Sequence, residues 1–244
     1  MPATQVKNDI SNYTPAEILA ISFEVFDAQG FVKSGYGYKQ PTNTVDEDGN
    51  QIYEDIKDNK TVIIQTVKNF AGKYIPNQKY VDQATAEIER INGKLMMKKL
   101  GGGLSNFEAG LVKAIDEDVN NFHVSILASV PNSVKIDQKR EALNDRMLQL
   151  KHISQFVGKK GARYDIEVDV IDVKFIQSSD VYMITCVSDN RDIIKFWWRE
   201  QPDLTDIIEG KTISIRGTVN KQEISKYSQA KETLFNRVKL SLVK

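Results

Sequence analysis

The chain has 244 residues and carries 33 Lys and Arg against 33 Asp and Glu, a formal net charge of zero. Its apolar fraction of 41% suffices for one large packed domain or two small ones and excludes an intrinsically disordered chain. No apolar run approaches the ~20 residues that cross a bilayer, and the lone Cys186 excludes an internal disulfide and a thiolate zinc site. The opening Met1-Pro2-Ala3-Thr4-Gln5 lacks the basic-then-apolar pattern of a secretory leader, so the cytoplasm is the expected compartment.

The first half reads as mainly helical. Thr14-Pro15-Ala16-Glu17 is a capping box with Pro at the first helical position. It predicts a helix carrying Ile18, Leu19, Ile21, Phe23, Val25 and Phe26 that stops near Gly30. The segments 31–40, 61–67 and 123–130 alternate only weakly and stay unassigned. Asp46-Glu47-Asp48-Gly49-Asn50 mimics the opening of a calcium loop, but Gln51 and Lys57 stand where glycine and glutamate are needed. A 3.6-residue rhythm through Tyr80, Val81, Ala84, Ile88 and Ile91 predicts a second helix. Gly101-Gly102-Gly103 lacks the Gly-Lys-Ser/Thr of a nucleotide loop and reads as a hinge. Ser105-Asn106-Phe107-Glu108 is another capping box, opening a helix through Leu111, Val112 and Ile115. A long helix over 137–157 aligns Leu143, Met147, Leu150, Ile153 and Val157.

At Gly158-Lys159-Lys160-Gly161 the apolar period changes from helical to two residues, which places the domain boundary between 157 and 158. Tyr164, Ile166, Val168 and Val170 alternate with acidic residues, and the rhythm then slips by one step through Ile171, Val173 and Phe175. Such a slip predicts a β-bulge that lets one strand serve two halves of a small barrel. Further strands are expected over 181–187, 193–199, 212–219 and 233–240, with a short helix-like link at 202–210 and a polar loop at 220–230. Five strands with an insertion between the third and fourth follow the OB-fold order. The expected fold class is α+β, a mainly helical region 1–157 followed by a five-stranded OB-type barrel over 158–244.

Several stretches of this last third carry a resemblance. They are Phe156-Val157-Gly158, Gly161-Ala162-Arg163, Ile194-Lys195-Phe196-Trp197 and Gly210-Lys211, then Arg216-Gly217-Thr218-Val219, Tyr227 and the run from Glu232 to Lys239. Together they resemble the OB-type domains of bacteriophage replication and single-stranded-DNA-binding proteins. The resemblance implies binding of single-stranded DNA in replication or recombination, and the host cytoplasm as the setting. Many such proteins carry an acidic tail that recruits partners; Ser241-Leu242-Val243-Lys244 is not one, so a hub role is not expected of this stretch.

Alternation points to a binding face independently. If Ile194, Phe196 and Trp198 face inward, Lys195, Trp197 and Arg199 share the outer face. With Ile213, Ile215 and Val219 inward, Arg216 points out; with Leu234, Val238 and Leu240 inward, Thr233, Phe235, Arg237 and Lys239 point out. Aromatic rings between cations suit a single strand, because bases stack on the rings while Lys and Arg neutralise phosphates. The loop with Lys221, Lys226, Tyr227 and Lys231 is expected to clamp the strand, and Lys159, Lys160 and Arg163 extend the basic track. From 211 to 244 eight cations stand against Glu223 and Glu232, a local excess hidden by the neutral total.

No catalytic constellation is read. Asp165, Glu167, Asp169 and Asp172 are spaced as the polar side of a strand rather than as a nuclease site, and His123 and His152 are isolated. The expectation is a non-enzymatic protein without metal or cofactor. Its expected partners are single-stranded DNA, with RNA a second candidate, and a replication or recombination protein. The helical region is read as binding a partner, self-associating or extending the DNA path. The alternative is an interaction or virion-associated structural protein whose barrel binds protein.

Overall fold

The computed structural model describes residues 9–200 and 207–240. Contacts divide the chain into two compact units between Asp137 and Gln138.

In the first unit, α1 (Pro15–Gln29) opens on the expected capping box: Thr14 accepts from the Glu17 N–H, the Glu17 carboxylate accepts from the Thr14 N–H, and Gly30 ends the helix at φ 75. Ile18, Leu19, Ala20, Ile21, Ser22, Phe23 and Val25 are all buried, so apolar residues clothe the helix on almost every side and it forms the centre of the unit. Around it lie α2 (Asn59–Asn69), α3 (Gln78–Gly101), α4 (Asn106–Asp116) and α5 (Asn121–Leu127). The weakly alternating 61–67 is thus helical, with Ile63 and Val67 buried one turn apart. Buried Asn59 pins the exit of α1, accepting from the Val32 N–H at 2.7 Å and donating to the Gly30 carbonyl at 2.9 Å. Between α1 and α2, β1 (Tyr38–Val45) and β2 (Gln51–Ile56) form an exposed antiparallel hairpin.

Helix α6 (Val130–Leu150) starts earlier and ends sooner than the 137–157 expected from its stripe. Pro131 suits a first turn. After Leu150 the chain is drawn off by Ser154, whose hydroxyl accepts the Ile193 N–H at 2.9 Å and donates to the Lys231 carbonyl at 2.7 Å. Ile153 and Val157 therefore lie beyond the helix.

The second unit is a closed five-stranded barrel, compatible with an OB-type fold, in the order β3-β4-β5-β7-β6. Its strands are β3 (Arg163–Ile176), β4 (Val181–Ser188), β5 (Ile193–Trp198), β6 (Thr212–Ile224) and β7 (Lys231–Leu240). All neighbours are antiparallel except β5 and β7. The first half of β3 pairs with β6 and the second with β4, and the register slips between Val170 and Asp172 where the doubled apolar pair stands. The core holds Val168, Val170, Ile184, Cys186, Ile194, Phe196, Ile213, Ile215, Val219 and Phe235, with Ile207 against it. Residues 202–206 of the expected helix-like link lie outside the described residues. Outside the barrel, Leu143, Met147 and Leu150 of α6 cover Ile171, Val187, Ile193 and Ala230.

Strand β6 runs on to Ile224, so the loop expected over 220–230 shrinks to 225–230. Strand β7 departs further from expectation. Thr233 and Phe235 face inward and are fully buried, while Leu240 is exposed. Thr233 turns in because its hydroxyl accepts the Val157 N–H at 2.9 Å. The Phe235 ring lies over Gly217, where a Cβ would stand 2.7 Å from the ring and 3.0 Å from Val238.

Candidate nucleic-acid interface

Strands β5 and β7 run parallel, with Ile193 opposite Glu232 and Phe196 opposite Phe235. The residues that leave the core at the ends of both strands therefore arrive side by side. With the β3–β4 turn they enclose an open cleft of about 750 Å³. Its walls include Trp197, Arg199, Arg237 and Lys239, which the alternation of two distant strands had placed outside, together with Trp198, Val238 and Glu200.

Trp197 is 47% exposed. It stands opposite Met183 on β4, one residue out of phase with the core pair Ile184 and Phe196. Among the described residues Arg199, Arg237 and Lys239 form no ion pair, and Glu200 is the one carboxylate on the cleft wall. Three cations against one anion leave a local positive field around an exposed indole. Trp198 packs edge-on against Phe196 with centroids 6.4 Å apart, as its inward phase requires. Its indole N–H is nevertheless buried without an acceptor among the described residues. Alternation assigned Trp198 to the core and so missed it as a wall of the cleft. Ser179 and Val181, at the turn between β3 and β4, also line the cleft.

The other expected contacts divide into three groups. Phe235 is buried in the barrel core, which corrects its reading as an exposed stacker: the Gly217 gap receives the ring and Thr233 fixes the phase of the strand. A second group is exposed or half-exposed but already occupied. Lys195 is bound to buried Glu232 at 2.7 Å. Arg216 grips Asp165 through two hydrogen bonds of 2.6 and 2.8 Å and holds that carboxyl below its usual range. Lys221 pairs with Glu223. Lys231 donates to Gln155 at 2.6 Å and sits 5.7 Å from the Phe156 ring centre.

The third group is exposed but lies at the other end of the barrel. Lys226 and Tyr227 cap the β6–β7 loop, beside the start of β5 rather than its end. Tyr227 is 98% exposed on a loop tied by the Ser225 N–H to the Ala230 carbonyl and the Gln229 N–H to the Ser225 carbonyl. Lys159 and Lys160 are exposed in the turn that leads to β3, where the Lys159 N–H donates to the Tyr164 hydroxyl.

Cys186 is buried in the core and its thiol is pushed up by desolvation, so no thiolate is offered at neutral pH. Among the described residues no three His, Cys, Asp or Glu side chains are grouped to hold a metal, and no helix is long and apolar enough to cross a membrane. No protein-family model matches the chain, and neither curated proteins nor solved structures return a match.

Proposed function

We propose that this protein binds single-stranded DNA without acting on it chemically, in DNA replication or recombination of the bacteriophage kind its barrel sequence resembles. The observation that carries the reading is the cleft: an exposed Trp197 among three cations that have no carboxylate partner in the described residues. A base stacks on the indole whatever its identity, and Arg199, Arg237 and Lys239 neutralise the phosphates on either side. The ion-paired Lys195, Arg216 and Lys221 contribute less, because each must first release a carboxylate.

Trp197 and Trp198 are the only tryptophans of the chain and both line the cleft, so tryptophan emission excited apart from the tyrosines reports on it. Titration with oligo-dT is expected to quench it saturably and to weaken as salt rises. Three phosphate contacts predict a slope near −2 in log K against log salt, from about −0.7 per contact on single strands. Trp197→Ala is expected to lower affinity by about 5- to 150-fold, the equivalent of ~1–3 kcal/mol of stacking. Absence of quenching at low salt, with no shift in a gel, would refute the reading. Binding that is indifferent to salt would turn it toward a protein partner.

A further inference from the structure

Arg237 has a backbone φ of 51, in the left-handed region. The other non-glycine residues of that kind among those described, Asp180, Arg191 and Gln229, lie in the connections between strands, whereas Arg237 lies inside β7. Its conformation follows from a conflict. Phe235 must point inward, and unbroken alternation would then carry Arg237 and Lys239 into the core. The register of β6 against β7 shows the resolution: Arg216 faces Lys239 and Thr218 faces Asn236, so Gly217 alone answers both Arg237 and Val238. The extra residue restores Val238 to the core and leaves both cations outside. In bulges whose first residue is left-handed, that residue is ordinarily glycine, since any Cβ is penalised there.

Here the position holds an arginine instead. Its side chain is exposed, makes no hydrogen bond or ion pair with the described residues, and lines the cleft beside Trp197. Core packing accounts for the bulge, but no contact of the Arg237 side chain inside the described barrel repays a side chain at its left-handed position, and strain of this kind collects at binding sites. We propose that Arg237 is the anchor for a phosphodiester of the strand lying over Trp197, kept for its bidentate guanidinium at the expense of barrel stability. The inference rests on the single-strand reading and adds to it the one contact on which that binding depends most.

The test uses the full chain with Arg237→Gly, Arg237→Asn and Arg237→Lys, each followed by thermal unfolding and by oligo-dT quenching at several salt concentrations. Both tryptophans lie in the barrel, so their fluorescence reports its melting. Glycine and asparagine accept a left-handed backbone; they are expected to raise Tm by a few degrees, weaken oligo-dT binding about tenfold, and flatten the salt slope by about 0.7. Lysine keeps the strain and the charge: Tm and slope stay at wild-type values, and affinity falls only a few-fold. If oligo-dT quenches the wild type and Arg237→Gly equally, this inference fails and the single-strand reading stands. If neither glycine nor asparagine raises Tm, the claimed trade of stability for binding fails. If the wild type itself shows no quenching, the function fails and takes this inference with it.

Discussion

Replacing Phe235 with alanine separates two meanings of one aromatic residue. Read from alternation, the ring is a surface stacker whose loss weakens DNA binding and leaves folding intact. In the barrel it is fully buried, over Gly217 and beside Val238. Truncating a buried phenylalanine costs about 3–5 kcal/mol, the transfer term of the lost atoms plus the cavity left behind. The upper half of that range is expected here, because a closed barrel held by hydrogen-bonded strands on every side has little freedom to collapse into the gap. With a urea dependence of ~1.5–2 kcal/mol per molar, a loss of ~4 kcal/mol lowers the unfolding midpoint by about 2–3 M. The assay is urea denaturation followed by tryptophan fluorescence, with Trp197→Ala as comparison. Trp197 is half-exposed, so its removal is expected to change stability by less than about 1 kcal/mol, and Trp198 remains as reporter. A Phe235→Ala midpoint within about 0.3 M of wild type, or a larger loss for Trp197→Ala, would refute the burial argument.

Gly217→Ala places a methyl 2.7 Å from the Phe235 ring, which has no room to retreat, and is expected to lose about 1–3 kcal/mol in the same denaturation assay. Combined with Phe235→Ala the methyl enters the vacated space, so the double variant should lose less than the sum of the singles. Glu108, in the capping box of α4, is held down from 4.5 to about 2, first by its hydrogen bond from Lys98 and then by those from Ser105. A depressed folded-state value means the contact supports folding fully above pH 4.5 and is lost as pH falls toward 2. Carboxyl chemical shifts should place the Glu108 midpoint near 2, and Lys98→Ala should move it upward.

How far the fold was legible depended on how local its signals were. Both capping boxes lie within four residues, and both formed as written. The slip at Val170-Ile171 is likewise local, and the register shift stands beside it. Helix α2 carries little signal because only two of its apolar residues, Ile63 and Val67, are buried, too few to establish a period. Ile153 and Val157 continue the stripe of α6 past its end; what stops the helix is Ser154 bridging the first residues of β5 and β7, contacts 39 and 77 residues away in the chain.

The candidate site shows the same division more sharply. Counting eight cations against two carboxylates over 211–244 could not reveal that Asp165, outside the window, claims Arg216, or that the window's own two glutamates claim Lys221 and Lys195. The phase of β7 was undecidable locally, because Leu234 and Phe235 are adjacent and either can begin an inward set. The bulge that settles it is marked in sequence only when glycine occupies its left-handed residue, and here arginine does. Parallel pairing of β5 and β7 then does what neither strand does alone: residues that leave the core at 197–199 and at 237–239 emerge at the same end of the barrel. The cleft is thus a consequence of strand order, and among the described residues its three cations meet one carboxylate, Glu200, while Glu232, Asp165 and Glu223 hold Lys195, Arg216 and Lys221.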